Sequence, residues 1–169
     1  HILEPKKAGG QVGVQYAPKD PLRTYQWHLD KINYRLAPAP LTSAPNIAII
    51  DTGVNYTHED LMGRVIKGYD FFNYDSDPMD DHGHGTHCAG IAAGKTNNQK
   101  GISGVSPTSK ILAVKVGGNE GWCTNFMMAQ GITYAKNQTG ARAVKVLSIS
   151  FGGSSSSRAV KNAVNAAYN

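Results

Sequence analysis

Asn46-Ile47-Ala48-Ile49-Ile50-Asp51-Thr52-Gly53 is the stretch that decides the fold. It is a short apolar, β-branched run with no polar alternation, closed by a carboxylate and a tight exit at glycine. A strand of this kind is buried on both faces, as in a parallel sheet covered by helices. Two further runs read the same way, Ile111 to Val116 and Val144 to Ile149. Between them, Thr124 to Gln138 has helical character weakened by Gly131. The tail from Ser157 places Val160, Ala163, Val164 and Ala167 at i, i+3, i+4 and i+7, one apolar stripe of a helix. Strands alternating with helices predict an α/β fold with a mainly parallel central sheet.

Upstream of the first strand the pattern is looser. Residues 1–18 read as an extended arm, and Asp20-Pro21 followed by Leu22, Tyr25, Trp27, Leu29 and Ile32 as a short helical stretch. Pro38, Pro40 and Pro45 mark a loop. Ser154 to Ser157 is the one low-complexity patch, a loop leading into a helix cap. The 169 residues suffice for one domain with a hydrophobic core, and 19 Gly with 8 Pro make it turn-rich. No apolar run approaches membrane-spanning length, so no membrane partner is expected. The net charge of +5 is spread along the chain without a basic cluster, which argues against nucleic acid. Two cysteines, Cys88 and Cys123, are too few for a disulfide framework. The sequons Asn55-Tyr56-Thr57 and Asn137-Gln138-Thr139 fit a secreted protein.

The chemistry concentrates in Asp81-His82-Gly83-His84-Gly85-Thr86-His87-Cys88-Ala89-Gly90. Closely spaced histidines separated by glycines are poor core filler. The small residues that follow suit a helix packed tightly on a neighbour. A histidine at the start of such a helix needs a carboxylate to favour its protonated form. Asp51 is the candidate, because active sites of parallel α/β sheets gather at the carboxyl ends of strands. An Asp there can orient a histidine ring and stabilise the imidazolium.

Together, Ile50-Asp51-Thr52-Gly53-Val54 and His84-Gly85-Thr86-His87-Cys88-Ala89-Gly90 resemble the Asp and His motifs of the subtilisin family of serine proteases, in that family's order. The resemblance, closest to the thermitase-like branch, runs from about Tyr16 to the end of the chain. It includes Gly101-Ile102-Ser103-Gly104, Ile111 to Val116 and Ser148-Ile149-Ser150-Phe151-Gly152-Gly153. It implies a three-layer α/β sandwich of which residues 1–169 are the N-terminal part. Asp51 would orient the ring and His84 would be the general base. Ser150, Phe151, Gly152 and Gly153 would wall the primary specificity pocket. Gly118 to Trp122, with Gly118 and Gly121, would pair with a peptide substrate as an added strand. His87 would be structural, and Cys88 a buried thiol beneath the histidine.

The family's nucleophilic Ser and oxyanion Asn would lie beyond these residues. The expectation is therefore a companion C-terminal segment or chain that carries them, with no peptidase activity in this chain alone. The resemblance also implies that Val144–Ile149 is interior to the complete sheet, with its outer edge left unpaired in residues 1–169 alone, and that calcium is bound. A first calcium site would use Asp20, Asp60 and Asn98 with backbone carbonyls of Lys95, Lys100 and Ile102. A second would use Asp70, Asn73, Asp75 and Asp77, where Met79 offers no oxygen; a solvated acidic loop is the other reading of those residues. Two rivals remain. One is an inactive pseudoprotease or binding fragment. The other is a zinc hydrolase using His82, His84 and His87, which leaves Asp51 unexplained.

Overall fold

The computed structural model describes residues 18–34, 44–154 and 156–168. At its centre β1 (Asn46–Asp51) pairs in parallel on both sides, with β3 (Ile111–Lys115) and with β4 (Val144–Ile149). A further strand, β2 (Val65–Asp70), pairs in parallel with the far side of β3, giving the order β2-β3-β1-β4. Every residue of β3, and all of β1 after Asn46, is buried, as an unalternating apolar run requires.

Alternate residues of these strands feed two separate cores, because successive side chains point to opposite faces. On one face Ala48, Ile50, Leu112 and Val114 meet Met128, Ile132 and Ala135 of α3 (Asn125–Lys136) and Ala163 of α4 (Arg158–Tyr168). On the other, Ile47, Ile49, Ile111 and Ala113 meet Ala89 and Ala93 of α2 (His84–Ala93), together with Val54 and Leu61. Helices on both faces of a parallel sheet make the expected three-layer α/β sandwich.

Several elements differ from the sequence reading. The strand β2 was not anticipated, since Lys67 and Gly68 break its apolar character. Gly131 does not weaken α3. A Cβ there would lie 2.6 Å from Val116 Cγ1 and 3.1 Å from Ile50 Cγ2, so the missing side chain lets the helix settle onto the sheet. Thr124 caps this helix, its hydroxyl accepting from the Met127 N–H at 3.1 Å. The stretch after Asp20 is a 3₁₀ turn (Arg23–Tyr25) followed by the single-turn α1 (Trp27–Lys31), which buries only Leu29. By contrast, β4 forms an edge of the sheet among the described residues, as expected of residues 1–169 without a complementary segment, and Val146 is half-exposed there. The arm at 1–17 and the prolines at 38 and 40 lie outside the described residues. No helix among the described residues is long and apolar enough to cross a membrane.

Candidate active site

The last residue of β1 and the first of α2 meet. Asp51 is almost completely buried, and its Oδ1 lies 2.7 Å from His84 Nδ1. A carboxylate can only accept, so Nδ1 carries the proton and Nε2 is left as the basic nitrogen. The Thr52 N–H also donates to Asp51 Oδ1, at 2.8 Å, while Oδ2 has no protein partner among the described residues. His84 itself is 39% exposed, so one side of the ring is open to a reactant. This is the geometry of a base oriented by a buried carboxylate.

Close packing between strand and helix makes the contact. A Cβ at Gly85 would fall 2.1 Å from the Gly53 carbonyl oxygen and 3.0 Å from Asp51 Cβ, so only glycine lets α2 approach β1 this closely. Replacing Gly85 by Ala is therefore expected to force the helix start away from Asp51. The loss should appear in kcat of the complete protein, by about 10²-fold for a displacement near 1 Å. A variant with unchanged kcat would contradict this.

Asp80 was missed by the sequence reading, although the polar run before the histidines could have flagged it. Its Oδ1 accepts from Thr52 Oγ1 (2.9 Å), the His82 N–H (3.0 Å) and the Gly83 N–H (2.9 Å). Its Oδ2 accepts from the Thr86 N–H (2.9 Å) and Thr86 Oγ1 (2.5 Å). Partial burial disfavours the charged carboxylate, but the bonds from Thr86, Gly83 and His82 outweigh it and hold the group below its usual range. Lys115, buried at the end of β3, donates from Nζ to the Thr52 carbonyl at 2.7 Å and to Asp81 Oδ1 at 2.5 Å.

Cys88 lies one turn after His84, its Sγ 4.0 Å from both ring nitrogens and 3.6 Å from Ser150 Oγ. Burial pushes its thiol up, and the charges of Asp51 and Asp80 add to this, so the thiol is a poor nucleophile. Among the described His, Cys, Asp and Glu residues, only Asp51, His84 and Cys88 converge as a metal-ligand group would. His82, His84 and His87 do not converge, and His87 is exposed. The zinc reading thus lacks its ligand geometry.

A cavity of about 830 Å³, which His84 itself does not line, shares Phe151 with the histidine's surroundings. Gly121 and Trp122 line one side of it, and Phe151, Gly152 and Gly153 line another. Gly118 and Gly121 form the turn of the first wall, where the Gly121 N–H donates to the Gly118 carbonyl at 2.9 Å. Phe151 stands 6.5 Å, centroid to centroid, from the His84 ring. Ser150 faces Cys88 rather than the cavity.

Of the first expected calcium set, Asp20, Asp60 and Asn98 lie together. Asp20 and Asp60 are both buried, at 4% and 3% exposure, and no Lys or Arg among the described residues pairs with either. Asp20 accepts from the backbone N–H groups of Asn97 (3.0 Å) and Asn98 (3.1 Å). Asp60 accepts from Asn98 Nδ2 (2.7 Å) and the Ile102 N–H (3.0 Å), and its carbonyl receives the Lys95 N–H at 2.9 Å. Lys100 donates its N–H to Asn98 Oδ1 at 3.0 Å and turns its ammonium to Glu59. Two buried carboxylates without a cationic partner, in an oxygen-rich loop, are a donor set that suits a hard divalent cation.

The second set, like the first, is hydrogen-bonded within the chain. Asp70 is buried, but its oxygens are taken by the N–H groups of Phe72 and Asn73 and by Asn73 Nδ2. Asp75 accepts from the Asp77 N–H, and Asp77 turns to Tyr56 Oη at 2.7 Å and Lys67 Nζ at 3.5 Å.

Residues 42–169 match the family described as the subtilase family, peptidase S8. A thermophilic serine proteinase of Bacillus sp. (strain AK1) is 45% identical over 157 residues, which cover 93% of this chain and 36% of that protein. Thermitase of Thermoactinomyces vulgaris is 50% identical over 127 residues, covering 75% of this chain and 44% of thermitase. The solved structure of sphericase superposes with a TM-score of 0.70 at 36% identity, over 79% of this chain and 45% of that one. The chain thus spans about two fifths of the length of the curated relatives named here. On its Asp and His motifs, its sandwich and these likenesses, the chain belongs to the subtilase family.

Proposed function

We propose that residues 1–169 are the Asp- and His-bearing part of a secreted, calcium-dependent serine endopeptidase that cleaves peptide bonds in proteins. The observation that carries this reading is the 2.7 Å contact between His84 Nδ1 and buried Asp51 Oδ1. It leaves Nε2 to take a proton from an attacking hydroxyl and later return it to the leaving amine. Asp51 would keep the tautomer and stabilise the imidazolium while that proton is held. The extended peptide would lie in the cleft between Gly118–Trp122 and Ser150–Gly153, its backbone pairing with the cleft walls.

No serine hydroxyl among the described residues is hydrogen-bonded to His84. The nucleophile is accordingly assigned to a complementary segment, which would also supply the oxyanion Asn and cover the open edge of β4. Calcium is proposed at Asp20, Asp60 and Asn98, where it would tie the segment around Asp20 to the loop after α2. Secretion is proposed on the sequons, of which Asn137 is exposed at the end of α3. The pseudoprotease alternative shares the Asp51–His84 pair and is distinguished by whether a companion segment supplies the Ser.

Inhibitor profiling of the native protein tests this reading. Peptide hydrolysis should stop with a serine-acylating reagent and persist with a zinc chelator at constant excess calcium. Loss with the chelator, or indifference to the acylating reagent, would overturn it.

A further inference from the structure

Asp51 and His84 are 33 residues apart, one ending a strand and the other starting a helix. A 2.7 Å contact between them persists only if strand and helix are fixed against each other. We propose that Asp80 is a positioning residue for this pair, acting through the hydroxyl of Thr52.

Thr52 directly follows Asp51 and is buried, at 1% exposure. Its hydroxyl has one proton, which goes to Asp80 Oδ1 at 2.9 Å, and its lone pair receives the Gly85 N–H at 3.0 Å. The chain Asp80–Thr52–Gly85 therefore couples the residue after the carboxylate to the residue after the histidine. Asp80 also gathers the N–H groups of His82, Gly83 and Thr86, so the first turn of α2 and the exit of β1 share one anchor. Gly83, which precedes His84, has a left-handed φ of 102°, and the bond to Asp80 holds that turn.

A carboxylate suits this place because every neighbour is a donor, and both of its oxygens accept. An amide of the same shape would turn its NH₂ toward either the Thr86 pair or the Thr52, His82 and Gly83 group. Asp80 has no hydrogen bond to the His84 side chain, so its influence on the base runs through Thr52 and the helix start.

This inference rests on the peptidase reading, and three variants of the complete native protein test it. Asp80→Asn and Thr52→Val should each lower kcat about 10²-fold with KM changed less than about twofold. Thr52→Ser, which keeps the hydroxyl, should restore kcat to within about twofold of the parent. Thr52→Val changes no charge, so it separates positioning from any field effect of Asp80, and it decides the matter if Asp80→Asn does not fold. The far-downfield proton resonance of the Asp51–His84 hydrogen bond should broaden or move upfield in the Val and Asn variants and persist in the Ser variant. Unchanged kcat and an unchanged resonance in Thr52→Val would overturn the proposal, even if its melting temperature fell. Absence of peptidase activity in the parent would defeat the functional reading alone, since the resonance still reports on the latch.

Discussion

His84→Ala in the complete protein is expected to lower kcat by about 10⁶-fold, the figure that holds for the equivalent change in the relative subtilisin. Its fold should survive, since the imidazole is partly exposed at the helix start and fills no core cavity. Asp51→Asn is expected to cost about 10⁴-fold, because an amide in place of the carboxylate favours the wrong tautomer of the ring. KM for a peptide should change little in either case, because the cleft walls at Gly121 and at Phe151 to Gly153 are built independently of the pair. Stopped-flow hydrolysis of a chromogenic peptide, with circular dichroism to confirm folding, measures both effects. A folded His84→Ala variant that retains a tenth of the parent kcat would exclude His84 as the base.

Removing calcium should be the largest effect on stability. At a free concentration about a hundred times the dissociation constant, an ion bound only to the folded state contributes roughly 2.7 kcal/mol. The ion would tie the segment at Asp20 to the loop after α2, so apo protein should melt lower and be cut first near Asp20. Asp60→Ala should abolish the difference, with its melting curve the same in calcium and in chelator. Parent protein that melts identically in both conditions would remove calcium from the site.

Most of this architecture was legible in the chain because burial on two faces erases alternation. The runs at Ile47 and Ile111 read as central parallel strands, and they are, whereas the run at Val144, read the same way, is only partly buried. The strand at Val65 escaped because Lys67 is exposed on an edge that tolerates it, so no apolar pattern marks it. Gly131 misled in the opposite direction. Its helix propensity is poor, but tertiary packing against Ile50 and Val116 rewards the absent side chain. The chemistry was written as residue types at the strand end and helix start, so Asp51 and His84 could be paired before any distance was known. Asp80 was not, because five donors converge on it from separate places, and sequence spacing does not encode that convergence. Nor could acidic spacing show that Asp20 and Asp60, 40 residues apart in sequence, come together through Asn98.

Active-site labelling of the native protein, followed by peptide mapping, tests most directly whether Asp51 and His84 serve a serine nucleophile supplied by a complementary segment. A fluorophosphonate should modify one serine stoichiometrically, in a peptide outside residues 1–169, and the label should vanish in His84→Ala. Labelling of Ser150 or of a serine between 154 and 157, or full peptide hydrolysis by protein that takes up no label, would contradict it.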